Sequence, residues 1–324
     1  MINRILITGS SGTVGTALVK KLSALKYKVV PLDIKPSIWD EQINKDTVRH
    51  DLRKPLSSKK IKKRPDLIIH LAANARVHDS VVNPSLASDN YLMTSNLLEY
   101  ARENKIPKLL FASSREVYGE SHGGRKKNES NHDIKNLKAP YTASKIGSEA
   151  LIHSYSACYD INIVIARLSN VYGRYDVSER VIPLFLYYAE RDRDLTIFGK
   201  EKKLDFTYID DTINGLTKIV KRFDKVKGET INLASGKSSK LIDVAKFIIS
   251  QTESNSKIKI SSKRTGEISH FTANILRARQ LLNYQPKVDI NEGLTLSIKW
   301  YEQVKKIKKV HNSQRRNLLK RGLA

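Results

Sequence analysis

The sequence predicts an α/β fold: a doubly wound parallel sheet followed by a smaller mixed α/β region. In the first half of the chain, short apolar runs alternate with segments of helical periodicity, as expected for repeated β–α units. A glycine-bearing turn, Thr8–Gly15, joins the first apolar run to the first helix. After residue 166 this alternation fades into shorter strands and helices. These observations favour one sheet-based unit with a second, smaller unit attached.

The glycine turn follows a predicted strand at Ile5–Ile7 and leads into a predicted helix at 16–22. Such a turn directs backbone N–H groups and the positive end of the helix toward a bound anion, and glycine leaves room for a diphosphate. The spacing Gly-x-x-Gly-x-x-Gly is one residue longer than the commonest fingerprint of a Rossmann-type dinucleotide site, and a glycine-rich turn without a ligand is the alternative. The candidate phosphate-binding residues are Gly9, Gly12, Thr13, Val14 and Gly15.

The next strands supply further candidates for a cofactor site. Val29–Asp33 reads as a second strand, and Asp33 follows Gly9 by 24 residues. A carboxylate at this spacing accepts from the adenosine ribose hydroxyls and repels a 2′-phosphate, which favours NAD over NADP. Val48–Leu52 reads as a short third strand followed by a loop acid, and Asp51 and Leu52 could flank an adenine. A fourth strand, Asp66–Ala73, ends in Leu71, Ala72 and Ala73, where small residues permit close approach of a cofactor, and His70 inside it reads as a core histidine.

Candidate catalytic residues follow the fifth strand, Leu109–Ala112, which runs into Ser113 and Ser114. A predicted helix from Tyr141 to about Cys158 places Tyr141 and Lys145 on one face, because they are four residues apart. A lysine beside a phenol stabilises phenolate, so this tyrosine is a candidate base. A surface tyrosine with a solvated lysine is the alternative.

Composition restricts the class of protein. The chain has 324 residues, 40% of them apolar and 28% charged, as in globular proteins. The single cysteine, Cys158, excludes an internal disulfide and a cysteine-rich metal cage, and we expect it to be buried; no metal site is predicted. A strand begins at once after the first residues, which leaves no room for a signal peptide, and no apolar run of transmembrane length exists. We therefore expect a cytoplasmic protein.

The net charge of +25 is unusual, and Lys305–Arg321 carries eight Lys or Arg without an acidic residue. We interpret this excess as a solvated basic helix. Nucleic-acid binding is the less favoured alternative, and peripheral attraction to an anionic membrane stays open. In domain terms, 1–166 would bind NAD, 167–310 would mainly bind substrate, segments near 205–235 would pack back on the first unit, and 311–324 would form a basic tail.

These motifs together resemble the extended short-chain dehydrogenase/reductase family, in particular its NAD-dependent sugar-nucleotide epimerases and dehydratases, such as UDP-glucose 4-epimerases. The resemblance runs from Ile5 to about Tyr301. It rests on the glycine turn and on the following segments: His70–Ala73, Ser113–Ser114 with Val117–Gly119, Tyr141 with Lys145, Arg167–Gly173, Tyr208–Asp211, and Arg264–Glu267.

The resemblance implies a role for each matching residue. Tyr141 would take the proton from a sugar hydroxyl, Ser114 would bond the same oxygen, and Lys145 would bind the nicotinamide ribose and lower the pKa of the tyrosine. Asn170 and Arg264 would contact the substrate, the arginine through its diphosphate. Phe271 corresponds to a position where a bulky residue favours plain hexoses over N-acetyl sugars. The family also implies a homodimer through the helices near 88–104 and 143–158.

Two departures from the family leave the reaction open. Leu204 stands where an arginine usually precedes Asp205, and Lys202 or Lys203 could substitute for it. Arg115 and Glu116 stand where simple 4-epimerases often carry small residues. Glu116 could act as the base of a 4,6-dehydratase or of a UDP-glucuronate decarboxylase, with Arg115 binding a uronate carboxylate. We favour a UDP-hexose 4-epimerase, with the lyase reactions second and a non-catalytic nucleotide- or RNA-binding member as a distant third.

Overall fold

The computed structural model describes residues 2–120, 125–131 and 134–304. The strands are β1 (Arg4–Thr8), β2 (Lys28–Asp33), β3 (Val48–Arg49), β4 (Leu67–His70), β5 (Lys108–Ser114), β6 (Asn162–Leu168), β7 (Asn170–Tyr172), β8 (Leu195–Phe198), β9 (Lys203–Tyr208), β10 (Thr230–Leu233), β11 (Ser238–Lys240), β12 (Ile258–Ser261) and β13 (His270–Phe271). The helices are α1 (Thr13–Ala24), α2 (Glu41–Asp46), α3 (Val77–Val82), α4 (Ser85–Glu103), α5 (Pro140–Cys158), α6 (Val181–Ala189), α7 (Ile209–Lys221), α8 (Phe223–Val226), α9 (Leu241–Gln251), α10 (Leu276–Leu282) and α11 (Ile290–Val304).

Seven of the described strands form one parallel sheet in the order β10-β6-β5-β4-β1-β2-β3. The predicted Rossmann-type doubly wound fold is therefore confirmed. The chain progresses outward from β1 to β3 and then returns to β4 on the other side of β1. Connections leave the carboxyl ends of β1 and β4 in opposite directions, and ligands bind at such a switch point.

The apolar strands are buried because helices cover both faces of the sheet. On one face α4 and α5 contribute Leu97, Leu98 and Ile152 to a core cluster. On the other face α1 packs against α7, with Leu18 and Leu216 in a larger cluster. Since both faces are covered, the functional groups lie at the carboxyl edge of the sheet.

The second half of the chain forms two smaller sheets at that edge. One contains β11, β9 and β13, with β7 also paired to β9, and the other joins β8 to β12. The segment β10 leaves this region and pairs in parallel with β6 in the main sheet. The smaller sheets place residues of the second half opposite the ends of β1, β4 and β5.

The third strand is Val48–Arg49, and Asp51 follows it in a loop, as predicted. The short helices α2 and α3 were not foreseen, because six residues are too few to reveal a helical period. Cys158 is exposed rather than buried, since it is the last residue of α5. His70 is confirmed as a core histidine: Nδ1 bonds Thr8 Oγ1 at 2.7 Å and Nε2 bonds Thr94 Oγ1 at 3.2 Å.

The predicted basic tail, 311–324, lies outside the described residues. Within the described part of the chain, every helix is too short or too polar to cross a bilayer.

Candidate active site

The glycine turn packs tightly beneath its surface and leaves space above it. A Cβ on Gly15 would lie 2.0 Å from the carbonyl oxygen of Gly9, so only glycine lets α1 approach β1 this closely. Gly9 has φ +70°, and its Cβ would meet the Ala72 backbone nitrogen at 2.7 Å. For Gly12, the nearest atom would be 3.4 Å away. Gly12 caps α1 without a side-chain hydrogen bond, so no side chain from the cap competes with a phosphate for the first N–H groups of this helix.

Asp33 is fixed beside this turn at the end of β2. Its carboxylate accepts hydrogen bonds from the backbone N–H of Ser11 at 2.9 Å and of Lys35 at 2.8 Å. Thr13 Oγ1 donates to the carbonyl oxygen of Tyr175, which brings the second half of the chain next to the turn. The turn and the carboxylate thus fit the phosphates and ribose of a dinucleotide.

Asp51 and Leu52, the residues predicted to flank the adenine, both contact other parts of the protein. The Asp51 carboxylate forms a 2.7 Å ion pair with Arg53, whose hydrogen bond is the main cause that lowers the pKa of Asp51 to about 2. Leu52 is buried, with 3% of its surface exposed, in the core cluster under α4. The structure therefore places Asp51 and Leu52 near the end of β3 without bringing them into the central cavity.

A cavity of about 320 Å³ lies between the carboxyl edge of the main sheet and the smaller sheets. It brings together most of the residues that the sequence singled out for chemistry and substrate binding. On its wall are Val14, Leu71, Ala73, Ser114, Arg115, Glu116, Tyr141, Lys145, Asn170 and Arg264.

Tyr141 and Lys145 enter the cavity from the first turns of α5, which begins with Pro140 at a position where proline suits a helix. Burial raises the pKa of Tyr141 to about 12, although its hydrogen bond with Ser114 acts in the opposite direction. Burial lowers the pKa of Lys145 to about 8, and its Nζ donates to the carbonyl oxygen of Ala112 at 2.8 Å. The expected net lowering of the Tyr141 pKa is thus not found, because desolvation of the phenolate outweighs the other effects.

Arg115 and Glu116 form a buried ion pair beside Ser114, with 2.7 Å between Arg115 Nη2 and Glu116 Oε1. Arg115 Nε also donates to Asn170 Oδ1 at 3.1 Å. Burial raises the pKa of Glu116, and Arg115 is the largest opposing influence. Phe271 does not lie on the cavity wall: it is 2% exposed, stacks on Tyr118, and has the Arg115 guanidinium 5.5 Å from its ring centre. Phe271 supports Arg115 from behind.

Also on the cavity wall, two cationic side chains surround the Glu267 carboxylate. Arg264 lies 3.6 Å over the ring of Phe198 and 3.8 Å from Glu267, and Lys202 forms an ion pair with the same glutamate. Of the two lysines considered as substitutes for the missing arginine, Lys202 is buried on the cavity wall and Lys203 is exposed. The sequence analysis assigned Glu267 no role, although it stands three residues after Arg264 in the quoted motif.

The mouth of the cavity carries residues that sequence reasoning missed. Arg76, before α3, pairs with Glu179 at 2.5 Å, and Arg180 lies 3.8 Å from Asp176. No sequence motif marked them, because the two segments approach only through tertiary packing.

Comparison with known proteins matches residues 5–234 to the NAD dependent epimerase/dehydratase family. The chain is 32% identical over 305 residues to a putative UDP-glucose 4-epimerase of Methanocaldococcus jannaschii, covering 91% of this chain and 97% of that protein. Relatives named as dehydratases and decarboxylases also match.

Solved structures show the same fold. The epimerase Mth375 of Methanothermobacter thermautotrophicus superimposes with a TM-score of 0.87 at 29% identity, covering 96% of this chain and 95% of that one. A UDP-glucuronic acid 4-epimerase of Bacillus cereus, in complex with UDP-glucuronic acid and NAD, gives 0.85 at 28% identity, covering 93% and 99%. With its glycine turn, Asp33 and the Ser114, Tyr141 and Lys145 cavity, the chain belongs to the NAD-dependent epimerase/dehydratase family of nucleotide-sugar enzymes.

Proposed function

We propose that this protein is a nucleotide-sugar 4-epimerase of the UDP-hexose type. The observation that carries the proposal is that Ser114, Tyr141 and Lys145 meet on one cavity whose wall also holds Arg264 and Lys202. A proton-transfer group and two cations on one cavity suit a sugar joined to a diphosphate. The names of the relatives support the same substrate class.

The cofactor site is built from this chain's own residues. The N–H groups at the start of α1 would hold the NAD diphosphate, Asp33 its adenosine ribose, and Lys145 its nicotinamide ribose. Bound NAD would accept hydride from sugar C4 and return it to either face of the resulting 4-keto sugar.

Tyr141 performs the proton transfer in this proposal. The phenolate takes the proton of the C4 hydroxyl during oxidation and gives it back during reduction. Ser114 bonds the same sugar oxygen and the phenol, which aligns the two. Bound at the nicotinamide ribose, the Lys145 ammonium would offset part of the burial that raises the pKa of the Tyr141 phenol.

Dehydration or decarboxylation is the alternative, with Glu116 as the base. Elimination of water also needs an acid. Every carboxyl group on the described cavity wall is paired with a cation: Glu116 with Arg115, Asp176 with Arg180, Glu179 with Arg76, and Glu267 with Lys202. No unpaired carboxyl group on the described cavity wall can therefore serve as the acid, which favours epimerisation.

Product analysis separates these reactions. The protein is incubated with UDP-glucose, UDP-galactose, UDP-glucuronate and dTDP-glucose, and the products are analysed by mass spectrometry and chromatography. We expect unchanged mass with a new stereoisomer from a UDP-hexose. Loss of water would instead show a dehydratase, and loss of carbon dioxide a decarboxylase.

We also propose a homodimer formed through α4 and α5, on which Tyr91 and Leu92 remain 43% exposed each. Light scattering coupled to size-exclusion chromatography gives the mass directly. A monomer at micromolar concentration would contradict this proposal.

A further inference from the structure

Glu120 stands at the end of the turn that carries Ser114, Arg115 and Glu116. It follows Gly119, which has φ +64°. A Cβ added to Gly119 would lie 2.5 Å from the Asn136 carbonyl oxygen, so a residue with a side chain would not fit at this position. Only 8% of Glu120 is exposed. The residue is absent from the cavity wall and does not touch the space where a substrate would lie.

The Glu120 carboxylate binds a second segment, residues 263–270. Oε1 accepts from the backbone N–H groups of Ser269, at 3.0 Å, and of His270, and Oε2 accepts from Lys263 Nζ at 3.0 Å. Although burial raises the pKa of Glu120, these hydrogen bonds together lower it, so the group is ionised at neutral pH.

This segment forms part of the cavity wall. It contributes Arg264, Glu267 and Ile268 to the wall, and His270 then pairs with Lys203 in the small sheet, next to Lys202. One side chain therefore connects the turn bearing Ser114 to the elements bearing both Arg264 and Lys202.

We propose that Glu120 is a positioning residue that fixes the segment bearing Arg264, where the diphosphate would bind, relative to the turn bearing Ser114. Its removal frees two backbone N–H groups and Lys263, and the segment 263–270 then loses its fixed position relative to Ser114. A shift of about 1 Å at such a position is sufficient for a large loss of binding or rate. The proposal rests on the proposed function in taking a nucleotide diphosphate as the ligand of Arg264.

Asp211 provides a matched control. It is 4% exposed, and its carboxylate also holds two consecutive backbone N–H groups, those of Lys287 and Val288, at 2.9 and 3.0 Å. Residues 287 and 288 do not line the cavity. Glu120→Gln and Asp211→Asn therefore remove the same kind of anchor, one beside the site and one away from it.

The test measures UDP binding to the NAD-loaded wild type and both variants by calorimetry, with thermal melting and bound NAD as parallel readouts. We expect Glu120→Gln to weaken UDP binding by about 10- to 100-fold with NAD content retained. Both variants should lower the melting temperature by similar amounts, because each loses one buried anchor. Asp211→Asn should leave the UDP affinity within about twofold of the wild type. Equal UDP affinity in the two variants would overturn the proposal, as would parallel loss of UDP and NAD binding in Glu120→Gln.

UDP binding needs no turnover, so this experiment is separate from the reaction assay. A wild type that binds UDP but converts no UDP-sugar would refute the proposed function, and the two variants would still decide the role of Glu120. Where turnover is observed, we expect Glu120→Gln to raise KM while kcat stays within about threefold, because binding is lost in both the ground state and the transition state.

Discussion

Tyr141 is the residue on which the proposed chemistry depends most directly. We expect Tyr141→Phe to reduce turnover by about 10²- to 10⁴-fold, the usual contribution of a positioned acid–base group. NAD content and melting temperature should change little, because the ring remains in its buried site. Tyr155→Phe on the same helix is the control, since its hydroxyl bonds Glu99 away from the cavity. Full activity of the Tyr141 variant would exclude the assigned role.

The burial of the Lys145 ammonium lowers the free energy of unfolding at neutral pH. In the folded protein its pKa is about 8, against 10.5 for an ordinary lysine, because burial disfavours the charge. Between these values the unfolded chain binds a proton that the native state does not, so the free energy of unfolding rises with pH in this window. Below pH 8 the buried charge costs about 3–4 kcal/mol, at about 1.4 kcal/mol for each pKa unit.

Lys145→Met should therefore be more stable than the wild type at pH 7, and the two should converge toward pH 10. Urea unfolding of both proteins without added cofactor, at several pH values, measures the difference. An identical pH dependence for the two would show that the lysine is not desolvated as the structure indicates.

At this scale, sequence reasoning succeeded where residues act through local geometry. Tyr141 and Lys145 share a helical face, and Ser114 follows a strand, so their meeting on the cavity could be predicted. The position of Phe271 could not, because it depends on the pairing of β13 with β9. The ion pair between Arg115 and Glu116 joins adjacent residues, yet its geometry depends on burial by the second half of the chain.

At the scale of elements, the turn between β1 and α1 contains one glycine that the packing of the fold requires and another that we expect NAD binding to require. Gly15 and Gly12 lie three residues apart in the same motif, but a Cβ would collide with backbone at the first and would meet only the Gly9 carbonyl oxygen, at an ordinary contact distance of 3.4 Å, at the second. We expect Gly15→Ala to lower the free energy of unfolding by about 1–3 kcal/mol through overpacking. Gly12→Ala should keep the wild-type melting temperature and weaken NAD binding by about tenfold or more, because its methyl group occupies phosphate space.

Calorimetric titration with NAD and thermal melting distinguish the two effects. Unchanged NAD affinity in Gly12→Ala would mean that the diphosphate does not lie on the turn.

The long helices α4 and α5 were predictable from periodicity, and so was this turn from its glycines. The six-residue helices α2 and α3 were not, because their formation depends on caps and tertiary contacts. The Asp40 side chain, for example, accepts from the N–H of Ile43 at the start of α2.

For the molecule as a whole, the two halves of the chain share one core. The predicted boundary at residue 166 falls within β6, and β10 from the second half completes the main sheet beside it. The larger core cluster contains Leu18 from α1 together with Leu216 from α7 and Leu294 from α11. If either half of the chain were folded alone, the apolar surface that the two halves now bury against each other would be exposed to water.

We therefore expect the chain to unfold in one cooperative transition, although chains of this length often unfold in steps. The sequence contains two tryptophans, and their rings are 5.1 Å apart: Trp39 follows β2, and Trp300 is on α11. Their fluorescence reports on contact between the first and last parts of the described chain, while far-ultraviolet circular dichroism reports on all helices. Equal urea midpoints by both probes are expected. A fluorescence change at lower urea would mean that α11 separates before the main sheet unfolds, and Trp39→Phe would then show whether Trp300 alone gives the early signal.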